Sequence, residues 1–164
     1  MEIRLATGDD SDAIEAVRVR GWQVAYRHVF PAAELDALPV DGARWRARID
    51  RPPPGWSTFV AVEDGAVVGF SSVGPSRDEQ GLGELYAIYV HPDAWSTGAG
   101  RALLERAEEQ LRGEYAVATL WVLEDNPRAR HFYEAGGWTA DGARKAEDRL
   151  GVRAAEVRYR KELR

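Results

Sequence analysis

Gly98-Ala99-Gly100 joins two stretches of opposite character, and a junction of that kind can bind an anion. Before it, Glu84-Leu85-Tyr86-Ala87-Ile88-Tyr89-Val90 is rich in β-branched and aromatic residues and is stopped by Pro92, which predicts a strand. After it, Leu103, Leu104, Ala107 and Leu111 recur at helical spacing. A strand, a turn with little side-chain bulk and a helix N-terminus leave backbone N–H groups free, and the helix dipole favours negative charge there. Two nucleotide motifs are excluded. The dinucleotide fingerprint needs a third glycine where Leu103 stands, and the NTPase phosphate loop needs Gly-Lys-Ser/Thr, which occurs nowhere in the chain.

The same strand carries a carboxylate, Glu84. A carboxylate raised toward neutral pKa by burial suits general base catalysis. A strict period of two predicts that Glu84, Tyr86, Ile88 and Val90 share one face.

The turn resembles the acyl-CoA loop of the GNAT superfamily of N-acetyltransferases, Gln/Arg-x-x-Gly-x-Gly/Ala. Here the frame reads Trp95-Ser96-Thr97-Gly98-Ala99-Gly100, with both closing positions matched and Trp95 in place of the opening Gln/Arg. A more specific match follows. The family's Asn-x-x-Ala-x-x-Phe-Tyr-x-x-x-Gly-Phe is similar to Asn126-Pro127-Arg128-Ala129-Arg130-His131-Phe132-Tyr133-Glu134-Ala135-Gly136-Gly137-Trp138, with Trp138 for the last Phe. One helix and one strand separate the two motifs, as in the family, and the opening Ile3-Arg4-Leu5-Ala6 with Asp9 and Asp12 fits its first strand and helix.

The resemblance implies transfer of an acetyl group from acetyl-CoA to a primary amine by direct attack, in a ternary complex. Ser96, Thr97, Gly98, Ala99, Gly100 and Arg101 would then hold the pyrophosphate of coenzyme A, mostly through backbone amides. Backbone N–H groups from Ile88, Tyr89 and Val90 would hold the developing oxyanion. Tyr133 matches the family's general acid for the departing thiolate, and Asn126, a helix cap by type, would also touch the pantetheine arm. Glu84 matches the strand-borne base of the protein-lysine branch, where other members use ordered water. Trp22 and Tyr26, four apart on one helical face, either pack on the core or line the acceptor pocket that the family's N-terminal helices border. The other reading of the fold is a non-catalytic acyl-CoA-binding or regulatory domain. The expected co-substrate is acetyl-CoA, with no metal. His91 and His131 match no family role and are expected to be structural.

The elements that must position these residues are legible in order. Met1 to Ala6 alternates as a half-buried strand. Ala13, Ile14 and Val17 begin a helical stripe, broken near Gly21 into two helices and limited by Pro31, with a further short helix from Ala43 to about Ile49. Arg51-Pro52-Pro53-Pro54-Gly55 reads as a loop. Ser57 to Glu63 and Ala66 to Val73 read as a hairpin turning at Asp64-Gly65, and residues 75–81 as a solvated loop. After the central strand and its helix, Tyr115 to Leu123 reads as a strand and Asn126-Pro127 starts a helix that stops at Gly136-Gly137. Trp138 to Ala140 starts a strand, Asp141 to Asp148 reads as a charged turn, and Val152 to Tyr159 as the last strand. Arg158, Arg160, Lys161 and Arg164 form a basic, solvated end. The order β, α, α, β, β, β, α, β, α, β, β predicts one α/β (α+β) domain over residues 1–164. Its sheet should be mixed and mostly antiparallel, with a parallel crossover in the middle and helices on both faces.

Composition bounds the rest. The chain has 164 residues, 45% of them hydrophobic and 30% charged, which is globular and sized for one domain. A net charge of −5 disfavours a nucleic-acid partner and suits a cationic amine, either a small molecule or a peptide or protein amine. There is no cysteine, hence no thiolate chemistry, and three scattered histidines make a zinc site improbable. No apolar run reaches the ~18 residues of a membrane span, and the charged N-terminus does not read as a signal peptide, so a cytoplasmic location is expected. Homodimers are common in the superfamily, but no feature of the sequence demands one.

Overall fold

The computed structural model describes residues 1–164. Seven strands form one sheet: β1 (Glu2–Leu5), β2 (Ser57–Glu63), β3 (Ala66–Pro75), β4 (Gly83–Val90), β5 (Val117–Leu123), β6 (Thr139–Arg149) and β7 (Val152–Glu162). Their order across the sheet is β1-β2-β3-β4-β5-β7-β6, and only β4 and β5 are parallel. The helices are α1 (Ser11–Ala25), α2 (Ala32–Asp36), α3 (Ala43–Asp50), α4 (Ala99–Arg112) and α5 (Pro127–Ala135). The mixed sheet and its central β4–α4–β5 crossover are those the sequence predicts. No helix is long and apolar enough to cross a membrane, and no cluster of three or more His, Asp or Glu is placed to hold a metal.

Helices cover both faces. On one, Leu103, Leu104, Ala107 and Leu111 of α4 pack with Phe59, Val73, Leu85, Leu120, Tyr133 and Trp138. The approach is close at Gly69 on β3, where a Cβ would come within 2.9 Å of Leu103 Cδ1 and of the Tyr89 carbonyl. On the other face, Ile14 and Val17 of α1 and Trp45 of α3 meet Val60 and Phe70, while Trp22 joins Tyr26, Phe30, Leu35 and Leu123.

Four expectations are corrected. Helix α1 runs straight through Gly21 to Ala25. A helical glycine costs about 1 kcal/mol, and the burial of Ile14, Val17 and Trp22 on either side of Gly21 outweighs it. The second helix instead follows Pro31, as α2, around the fully buried Leu35. Residues 141–148 are not a turn but part of β6, with a register shift between Ala140 and Arg144. An edge strand need not be apolar, and its charges pair along or across it: Arg158 with Asp141, Arg149 with Glu147, and Lys145 near Glu156. The basic end is likewise no solvated tail, since Arg158 and Lys161 lie within β7 and Lys161 ion-pairs with Glu108.

The fourth correction concerns the faces of β4. Ser72 of β3 pairs with Ala87 and Val73 pairs with Leu85, so Tyr86 is an extra residue on β4. This bulge breaks the period of two. Leu85, Ile88 and Val90 face α4, while Ala87 and Tyr89 join the α1–α3 side. Glu84, opposite Gly74, and Tyr86, against Gly74 and Trp56, lie on that side as well. Glu84 therefore does not share a face with Ile88 and Val90.

Candidate active site

Strands β4 and β5 stay paired for three residues only, Gly83 to Leu85 against Ala118 to Leu120. Beyond them the strands part, which exposes backbone on β4. His91 N donates to Val68 O at 2.8 Å, so Val68–His91 is a hydrogen-bonded pair of the β3–β4 ladder. Antiparallel ladders alternate, so Tyr89 and Ala87 also bond toward β3, while Val90 and Ile88 turn their N–H and C=O the other way. That way lies the gap, where β5 offers no partner. The Val90 carbonyl is taken by Trp95, whose indole Nε1 donates to it at 2.9 Å. The Ile88 and Val90 amides are left facing the gap.

A cleft of about 920 Å³ fills the gap. Eleven of the fourteen residues singled out in the sequence line it: Trp22, Tyr26, Ile88, Tyr89, Val90, Ser96, Gly98, Gly100, Arg101, Asn126 and Tyr133. Three do not. Ala99, the first residue of α4, is fully buried. Thr97 turns its hydroxyl back to donate to Ala94 O at 2.6 Å, closing the loop. Glu84 lies behind the cleft wall, 1% exposed, and its carboxylate accepts from Arg77 N at 2.9 Å and Arg77 Nε at 3.1 Å. It anchors the β3–β4 loop rather than facing the cleft. Asp78 of the same loop accepts from Trp121 Nε1 at 3.0 Å, so the loop is tied to β5 as well as to β4.

The loop before α4 is built to offer amides. Ser96 has φ +62° and Gly98 φ +93°, left-handed conformations that turn successive N–H groups outward. Gly98 is the N-cap of α4, and Arg101 lies in its first turn. Arg128 supplies a charge that the motif lacks. Its guanidinium stacks 3.7 Å from the centroid of the Trp95 ring, forms no ion pair with a carboxylate, and lines the cleft. Burial lowers its pKa but leaves it a cation. Trp95 is thus a scaffold, joining the end of β4 to the guanidinium of α5. Five Arg and Lys side chains line the cleft against two carboxylates, so it is locally positive in a chain of net charge −5.

On the other wall, α5 begins as its sequence predicts: Asn126 Oδ1 accepts from Ala129 N at 3.1 Å, with Pro127 at the first helical position. Asn126 Nδ2 also donates to Tyr26 Oη at 3.2 Å, and Trp22 Nε1 donates to Tyr89 Oη at 3.0 Å. Trp22 and Tyr26 are therefore both core and cleft wall: they pack edge to face, 5.1 Å between ring centres, while tying α1 to α5 and β4. Tyr133, about two turns along α5, is buried, and burial pushes its phenol well above the usual range, with the neighbouring Tyr89 adding to the effect. Its hydroxyl is a protonated donor throughout the working pH range. The sequence reading missed Arg77, Trp121 and Arg128, and with them Lys145, Glu147, Arg149 and Glu156, which line the cleft from β6 and β7. Trp95 was visible as a departure from the motif; the others carried no signal.

A model of the acetyltransferase (GNAT) family matches residues 19–138. The N-acetyltransferase YuaI of Bacillus subtilis, itself uncharacterised, is 37% identical over 94% of this chain and 89% of its own. The L-amino acid N-acyltransferase MnaT of Escherichia coli is 29% identical over 84% of this chain and 79% of its own. Among solved structures, the PaiA N-acetyltransferase of Thermoplasma acidophilum in complex with coenzyme A superposes with a TM-score of 0.76 at 20% identity, covering 98% of each chain.

The Trp95–Val90 bond can be isolated. Trp95→Phe keeps a ring beneath Arg128 but loses the donor to the Val90 carbonyl. It should cost about 1 kcal/mol of folding stability, read as a shift of the urea midpoint at unchanged slope.

Proposed function

The chain belongs to the GNAT acetyltransferase family, and on that premise we propose that it moves an acetyl group from acetyl-CoA to a primary amine within the β4–β5 cleft. The observation that carries this reading is the pair of backbone amides at Ile88 and Val90, left without a partner by the parting strands. In this reading the pantetheine arm lies along β4 as a substitute strand. The pyrophosphate rests on the loop from Ser96 to Arg101, with Arg128 supplying the cation that the motif's opening residue would bring. The thioester carbonyl meets the amides of β4, which are already aimed and need no reorganisation as charge develops on its oxygen.

Attack then runs as a direct transfer. The amine nitrogen bonds to the thioester carbon, the tetrahedral oxyanion is held by the β4 amides, and the C–S bond breaks as Tyr133 donates its proton to the departing sulfur. The support for Tyr133 is its place in the cleft wall, its protonated state and its freedom from any hydrogen bond within the protein. The amine must first lose a proton. Arg77 holds the Glu84 carboxylate behind the wall, so Glu84 does not meet the amine directly. The proton leaves to water or to another group in the cleft, and Glu84 serves by fixing the loop that forms the acceptor end.

Two measurements test this. Gly100→Glu would set a carboxylate in the phosphate cradle, where a Cβ has only ordinary contacts with Phe132, so the fold should persist. Acetyl-CoA affinity should fall on the order of tenfold or more, and unchanged affinity by calorimetry would remove the pyrophosphate from this loop. Tyr133→Phe should leave acetyl-CoA affinity intact and lower kcat about 10²-fold. Because burial raises the Tyr133 pKa, the phenol stays protonated as pH rises, so the wild-type rate should show no loss attributable to Tyr133 up to the ordinary phenol value of 10.0. A basic limb below that value that disappears in Tyr133→Phe would contradict the raised pKa, and a kcat unchanged by Tyr133→Phe would contradict the general-acid assignment.

A further inference from the structure

The acceptor end of the cleft is walled by the β6–β7 hairpin, which presents a ladder of charges. Lys145, Glu147 and Arg149 alternate along β6 and so share a face, and Glu156 stands opposite Lys145 on β7; all four line the cleft. Trp22 and Trp121 flank them. Arg149 lies 5.9 Å from the Trp22 ring centre and Lys145 Nζ 4.5 Å from that of Trp121.

The ladder is incompletely satisfied. Glu156 is nine-tenths buried, yet its Oε2 makes no hydrogen bond; Lys145 Nζ is 3.6 Å from Oε2, and Arg149 Nη2 is 3.7 Å from Oε1. Arg149 bonds Glu147 through Nη2 at 2.8 Å, while its Nε is buried without a partner. Buried polar atoms are paired in the great majority of cases, and a buried carboxylate without hydrogen bonds is costly. Here one unspent acceptor and one unspent cationic donor lie side by side in the wall of the cleft.

We propose that this ladder is the acceptor site and that it takes an α-amino acid or a close analogue, the ammonium at Glu156 and the acid group at Arg149 and Lys145. Two opposite charges less than 4 Å apart in the wall match a ligand whose amine and acid sit on one carbon. A long ω-amino acid or a simple amine does not supply that pair. The inference rests on the acetyl-transfer reading and extends it. Glu156 takes one proton from the ammonium, the neutral amine attacks the thioester carbon, the C–S bond breaks, and the thiolate leaves as CoA thiol with the proton of Tyr133. The nitrogen's second proton returns to Tyr133, and the proton on Glu156 passes to solvent, so the products are N-acetylamino acid, CoA and one proton.

The test measures CoA release from acetyl-CoA with the L-amino acids, their carboxamides and the matching decarboxylated amines, using wild type, Arg149→Gln and Glu156→Gln. At least one amino acid should be turned over with kcat/KM about tenfold or more above its amide and amine. Arg149→Gln should erase that preference by lowering the amino acid's kcat/KM while leaving that of the amide nearly unchanged, a selective effect that general destabilisation does not produce. Glu156→Gln should slow all amines while acetyl-CoA affinity is retained. Amides or plain amines used as well as the acids, an acid preference that survives Arg149→Gln, or no turnover of any amino acid by enzyme that binds acetyl-CoA would each overturn the proposal. Failure to bind acetyl-CoA at all would instead overturn the acetyl-transfer reading on which it stands.

Discussion

The parting of β4 from β5 is the constraint on which the rest depends. A parallel pair inside a sheet normally continues until one strand ends, because unpaired backbone groups in a protein interior are costly. Here pairing stops after Leu85–Leu120 although both strands run on. The extra residue at Tyr86 coincides with the split: its bulge shifts the face of β4 at the point where pairing with β5 stops. The amides beyond it are therefore open by construction, and a ligand that supplies acceptors in strand geometry completes the sheet.

Everything around the gap keeps it open and shaped. Helix α4 cannot fill it, because Leu103 and Leu104 draw the helix onto β2, β3 and β4 and leave only its N-terminus at the mouth. Trp95 prevents collapse of the strand end by occupying the Val90 carbonyl, and Arg128 rests on its ring. On the opposite side, the Asn126–Tyr26 and Trp22–Tyr89 bonds brace α1 against both walls. The β3–β4 loop is fixed at the cleft by Glu84 of β4 and by Trp121 of β5. The cleft is thus set by packing and hydrogen bonds in the unliganded protein, the preorganisation that an oxyanion site needs.

What could be read from the sequence divides along physical lines. The anion loop and the start of α5 were legible because they depend on local backbone chemistry, Gly98 in the left-handed region and Asn126 with Pro127 at a helix start. The central crossover followed from a strand–helix–strand pattern. The bulge at Tyr86 was not legible, because one inserted residue leaves a strand's composition unchanged while reversing every face beyond it. Helix α1 was misread at Gly21 because local propensity was outweighed by tertiary burial. Strand β6 was misread because its charges pair with residues of β7, partners distant in sequence. The charged wall of the cleft was lost with it, since Lys145, Glu147 and Arg149 lie on the strand that looked like a turn.

Residue-resolved amide hydrogen exchange by NMR, with and without acetyl-CoA, tests the central claim most directly. In the free protein, the Ile88 and Val90 amides should exchange orders of magnitude faster than that of Tyr89 between them, which is held by β3. With saturating acetyl-CoA, Ile88 and Val90 should become protected while Tyr89 changes little. Protection of Ile88 and Val90 without ligand, or fast exchange that persists at saturation, would mean that the parted strands are not where the acetyl donor is held.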